Sequence, residues 1–79
     1  MSEIAVDKTL DARGLQCPMP VVKTTQEIKT MEVGQVLEVL ATDPGSMADL
    51  QAWCKSTGNE LLKMERGDGL FRFFIRRTK

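Results

Sequence analysis

Two cysteines and no histidine stand in this 79-residue chain. No Cys-His pair can form, so a reactive thiol has to be ionised by the positive end of a helix or by a nearby Lys or Arg. Cys17 has such a setting in the run Leu15-Gln16-Cys17-Pro18-Met19-Pro20, just before a segment patterned as an amphipathic helix. The first four N–H groups of a helix lack intrahelical partners, so Pro18 and Pro20 remove donors that the helix does not use internally. A thiol at this point is expected to ionise more readily than a free cysteine. Arg13 and Lys23 are its closest cations in sequence, and Met19 is expected to lie exposed beside it as a soft apolar contact for partner proteins. The competing reading, a small hydrophobe that merely ends a loop, fits the flanking prolines less well.

Cys54 reads differently. It belongs to Leu50, Trp53, Cys54 and Thr57, spaced i, i+3, i+4, i+7, the inward stripe of a helix, and is expected to be inert core. Without histidine or a Cys-x-x-Cys motif, the chain offers neither a zinc site of the usual type nor a dithiol redox centre. No metal and no cofactor are implied.

The elements that must position Cys17 alternate. Ile4 to Leu10 alternates well enough, despite Lys8, to predict a first strand. A helix is predicted from Pro18 to Met31, with Val21, Val22, Ile28 and Met31 as its apolar side and Val33-Gly34 ending it. Gln35 to Ala41 reads as a buried central strand. Ser46 as N-cap, with Asp49 three residues on, resembles a capping box for a second helix that Gly58 ends. Asn59 to Arg66 and Leu70 to Arg77 read as strands around the hairpin signal Gly67-Asp68-Gly69, which also accounts for the Arg66-Gly67-Asp68 tripeptide. Strand-helix-strand-helix-strand-strand predicts an α/β fold, an α+β two-layer sandwich: a mixed four-stranded sheet with both helices on one face. In the last strand Phe71, Phe73 and Ile75 are core candidates, leaving Phe74 on the open face among charged residues.

Composition bounds the function. Eleven Lys and Arg balance eleven Asp and Glu, so no global field attracts nucleic acid or an anionic membrane. The 42% hydrophobic and 28% charged content are those of a soluble domain. The N-terminal residues show no signal-peptide pattern and no window reaches the length of a membrane span, so a cytoplasmic protein of one domain, residues 1–79, is expected. Asp43-Pro44-Gly45-Ser46 is read as a strand-to-helix turn with Asp43 making local backbone bonds, and Arg72, Arg76, Arg77 and Lys79 as a solvated basic edge.

The run Leu10-Asp11-Ala12-Arg13-Gly14-Leu15-Gln16-Cys17-Pro18-Met19-Pro20, with Ala41-Thr42-Asp43-Pro44-Gly45-Ser46 and Thr57-Gly58-Asn59-Glu60-Leu61-Leu62, resembles the TusA-like (SirA-like) sulfur-carrier family from about Val6 to Arg77. The resemblance implies strand order 1-2-4-3 and a thiol, Cys17, that takes up sulfane sulfur as a persulfide, with Pro18 and Pro20 as its motif. It also implies a donor protein, such as a cysteine desulfurase or a rhodanese, and an acceptor protein in tRNA thiolation, molybdenum-cofactor supply or sulfur oxidation. Such a protein is a sulfurtransferase-type relay component more than a self-contained enzyme, and a monomer with transient complexes is expected. Two other classes remain open from the residues alone: an RNA-binding module, which the charge balance disfavours, and a regulatory interaction domain in which Cys17 is incidental.

Overall fold

Val36, Leu37, Val39 and Ala41 are buried, and Glu38 and Leu40 half-buried between them, the near-continuous burial of a strand with neighbours on both sides. They form β2 (Val36–Ala41) of the computed structural model, which describes residues 4–79. β1 (Lys8–Ala12) pairs with β2 in parallel, Leu10 opposite Val39. β4 (Leu70–Arg76) runs antiparallel on the other side, Phe73 opposite Val39, and β3 (Glu60–Gly67) pairs antiparallel with β4 through a register shift between Leu61 and Lys63. The sheet order is β1-β2-β4-β3, as the family resemblance implied. α1 (Met19–Ile28) links β1 to β2, and α2 (Ser46–Thr57) links β2 to β3.

One core joins the layers. Leu37, Val39 and Ala41 of β2 and Phe71, Phe73 and Ile75 of β4 cluster with Ile28 of α1 and with Leu50 and Cys54 of α2, so both helices cover one sheet face. Strand alternation sends Glu38, Arg72, Phe74 and Arg76 to the other face. Phe74 lies there between Glu38 and Lys63, as expected, yet is only 9% exposed. β4 has a strand on each side, so the ring is flanked at both pairing positions.

Several boundaries differ from the sequence reading. The first strand runs Lys8–Ala12, later than Ile4 to Leu10; Val6 is exposed and the inward positions are Leu10 and Ala12. Lys8, which interrupted the pattern, reaches α1 instead, pairing with Glu27 at 2.7 Å and donating to Thr30 at 3.1 Å. α1 ends at Ile28, and tighter turns carry the chain to buried Met31 through Thr30 N to Glu27 O and Met31 N to Ile28 O. Its inward row is Pro20, Thr24 and Ile28, with Val22 exposed. Thr24 is fully buried because its hydroxyl donates to Pro20 O at 2.7 Å, which a count of apolar residues cannot see. Gly58 caps α2 in the left-handed region at φ 82°, as its position suggested.

Three of the four basic C-terminal residues, Arg72, Arg76 and Arg77, have partners. Arg76 pairs with Glu60, and Arg72 lies 3.9 Å from Glu38. Arg77 donates to the carbonyls of Ile28, Lys29 and Met31, so it holds the end of α1. This edge is thus part of the fold's bonding more than a free basic surface.

Candidate functional site

The C-terminal ends of the parallel strands β1 and β2 lead into the N-terminal ends of α1 and α2, the position where open sheets of this kind commonly build sites. Cys17 lies there and is exposed. Gly14, at φ 80°, turns the chain out of β1 in a conformation that disfavours a side chain, and its amide donates to Thr42 Oγ1 at 2.9 Å. The loop before α1 is thereby tied to the loop before α2. Two further bonds bring Cys17 itself against that second loop: its amide donates to Asp43 Oδ2 at 3.1 Å, and its thiol donates to Asp49 Oδ2. Gly45 packs beneath, where a Cβ would stand 3.7 Å from Cys17 Cβ and 3.2 Å from Asp43 Oδ2.

This environment reverses the expected electrostatics. The hydrogen bond from Cys17 to Asp49 pushes the thiol pKa above its ordinary value, with desolvation and the charges of Asp49 and Asp43 acting in the same direction. The helix end does not offset them. With Pro18 as N-cap, the four leading amides belong to Pro18, Met19, Pro20 and Val21. Two of these are prolines without an N–H, and Met19's donates to Gln16 O at 2.8 Å. The prolines thus remove two of the four donors that activation could have used, and the Met19 bond engages a third.

Arg13 does not reach the thiol as a counter-charge. Its guanidinium closes on Asp11 with two bonds of 2.9 Å, which lowers the Asp11 carboxyl to about 2. Lys23 is exposed on α1 and makes no ion pair among the described residues. Met19 is 39% exposed beside Cys17 in sequence, where a soft contact was expected. Pro18 is exposed, whereas Pro20 is buried in the helix-sheet interface, and the Cys17–Pro18 peptide is cis. Cys54 is buried, with its thiol pushed up to about 11 by burial. Two concavities, of 660 Å³ beside the β3–β4 turn and 530 Å³ between α2 and β3, do not include Cys17.

Asp43, Gly45 and Asp49 were missed as site residues. Asp43 makes the local bonds assigned to it, its carbonyl accepting from Ser46 N at 3.0 Å and Ser46 Oγ at 2.7 Å, but its side chain serves Cys17. The N-cap is Gly45 and not Ser46, and Asp49 turns to Cys17 Sγ where a capping box was expected. Nothing local in sequence links residues 17 and 49; only the adjacency of the two helix starts does.

The family model described as "Sulfurtransferase TusA" matches residues 8–77. The chain belongs to the TusA family. It is 46% identical over 72 residues to the sulfur carrier protein TusA of Allochromatium vinosum, covering 91% of this chain and 95% of that protein. It is 54% identical over 68 residues to YrkF of Bacillus subtilis, covering 86% of this chain but only 37% of that longer protein. An Aquifex aeolicus relative, 47% identical over 78 residues, is likewise longer: 99% of this chain covers 40% of it. Among solved structures, the SirA-like protein of Desulfitobacterium hafniense superposes with TM-score 0.78 at 27% identity, over 91% of this chain and 99% of that one. The two-layer architecture of this TusA-family chain is that of its structural neighbour.

Proposed function

We propose that this chain is a sulfur carrier, a single unit over residues 1–79, that holds sulfane sulfur as a persulfide on Cys17 and passes it between proteins. The observation that carries the reading is the exposure of Cys17 where the two helix starts meet, in a chain of the TusA family with relatives named as sulfur carriers. An exposed thiol outside both concavities suits a hand-over between protein surfaces better than turnover of an enclosed small molecule.

Loading joins Cys17 Sγ to the outer sulfur of a donor protein's persulfide while the donor's own S–S bond breaks. The donor cysteine leaves as a thiolate and takes up the proton that Cys17 gives up. One S–S bond forms and one breaks, so no oxidant or reductant is needed. Unloading repeats the exchange: an acceptor thiolate attacks the outer sulfur and Cys17 departs as the thiolate. The donor is a protein of the cysteine-desulfurase or rhodanese kind, the acceptor serves tRNA thiolation, molybdenum-cofactor supply or sulfur oxidation, and the setting is cytoplasmic. Among the described residues no helix is long and apolar enough to cross a membrane. Exposed Met19 supplies an adaptable apolar contact for either partner.

Mass spectrometry of the intact protein after incubation with a persulfide donor tests the reading. Wild type is expected to gain one sulfur atom that a reductant removes, and Cys17→Ser to gain none while melting close to the wild-type temperature, since the side chain is exposed. A labile sulfur that persists in folded Cys17→Ser would overturn the assignment.

A further inference from the structure

Every charged group that faces Cys17 from the surrounding elements has a defined position. Asp49 comes from the first turn of α2 and accepts the thiol proton's hydrogen bond; Asp43 comes from the loop before α2 and accepts the amide's. Arg13, from the loop after β1, is closed on Asp11, and Lys23 points from α1 without an ion pair among the described residues. Neither Asp43 nor Asp49 pairs with a cation among those residues, and both are half-buried. A half-buried anion accepting from a thiol favours the protonated sulfur, because ionisation would place a second negative charge against the first.

We propose that Asp49 is a positioning residue that latches the Cys17 side chain toward α2 through its S–H group and so keeps the unloaded carrier's thiol at rest. This rests on the reading of Cys17 as the sulfur-bearing residue. The latch acts on the unloaded form, since loading replaces the Sγ–H bond with an S–S bond and leaves Sγ itself without a donor. A resting thiol reacts slowly with adventitious electrophiles, because the thiolate is the nucleophile. It becomes competent when docking neutralises or displaces the Asp49 carboxylate.

The alkylation rate of Cys17 by iodoacetamide, followed peptide by peptide across pH with Cys54 as internal reference, tests the latch without any sulfur donor. Asp49→Asn is expected to lower the pH midpoint of Cys17. A drop of one unit raises the thiolate fraction about tenfold at neutral pH, offset in part by the weaker nucleophilicity of a more acidic thiol, for a net gain of about threefold in rate. Asp49→Glu keeps the charge and should stay nearer to wild type than Asn does. An unchanged or higher midpoint in Asp49→Asn, or a fall in Asp49→Glu as large as in Asn, overturns the proposal. Wild type offers a test that needs no variant: the Cys17 midpoint should be higher in the folded protein than in the same chain unfolded in urea, and an equal or lower one is equally fatal. Sulfur loading is scored separately. A wild-type Cys17 that accepts no sulfur while Asp49→Asn shifts as expected would remove the carrier reading and leave the latch standing.

Discussion

Gly45 is where a single methyl group bears on the whole thiol environment. Its backbone, at φ −67°, accommodates alanine, so conformation does not forbid the substitution. The constraint is local: the added Cβ would stand 3.2 Å from Asp43 Oδ2, a contact that the carboxylate relieves by shifting a few tenths of an ångström, away from the Cys17 amide. Gly45→Ala is therefore expected to keep the fold, with a stability change within about 1 kcal/mol, and to shift the Cys17 amide proton upfield in an NMR spectrum as its bond to the carboxylate weakens. An unmoved Cys17 amide in the folded variant would show that Gly45 does not hold Asp43 in place. Such couplings mark the limit of reading single residues. Cys17 stands out from sequence because the prolines mark it, whereas Asp49 has a sufficient local role as a helix-start acid and discloses its other partner only once two loops are folded together. The same prolines that mark Cys17 also remove two of the four leading N–H groups of α1 that a thiolate could have used.

Among the elements, α1 is held at its C-terminal end from outside itself. It has no side-chain N-cap and no basic residue in its last turn. What closes its C-terminal end is Arg77, just beyond β4, donating to Ile28 O at 3.2 Å, to Lys29 O at 3.4 Å and to Met31 O. Arg77→Ala is expected to destabilise the protein by roughly 1–3 kcal/mol, since partly buried carbonyls lose a charged donor. Arg72→Ala, on an exposed side chain 3.9 Å from Glu38, should cost no more than about 1 kcal/mol. Thermal melts of the two variants decide this, and equal losses would refute a special role for Arg77. The strands were legible where two-sided burial leaves a continuous apolar run, as in β2, or where apolar residues recur at every second position after a turn signal, as Phe71, Phe73 and Ile75 do in β4. β1 was misplaced because an edge strand of five residues carries only two apolar side chains on its inward face, Leu10 and Ala12, while Ile4 and Val6 upstream imitate the pattern more strongly. The inward row of α1 escaped because Pro20 and Thr24 are buried for reasons other than apolarity.

For the molecule as a whole, the two thiols give stability an alkaline limit. Burial pushes Cys54 up to about 11 from 9.0, so the folded state favours its neutral form. A group whose pKa is raised by folding contributes fully below its unfolded value and loses that contribution as pH rises through the folded one. The contribution of Cys54 is therefore intact below about pH 9 and drains away between about pH 9 and 11. Cys17 is shifted the same way, so the comparison belongs in a Cys17→Ser background, where lysine titration is common to both proteins and cancels. There, Cys54→Ala is expected to melt below its parent near neutral pH, because it leaves a small cavity beside Leu50 on the inward face of α2. Alanine does not titrate, so the gap should narrow by a few degrees as pH approaches about 11. The parent's loss arises because ionised Cys54 must either stay charged in the core or open the α2–β3 side to water. A gap that held constant across that range would mean that Cys54 meets water in the folded protein as freely as in the unfolded chain. Its place in the core that anchors α2, and with it Asp49 above Cys17, would then have to be redrawn.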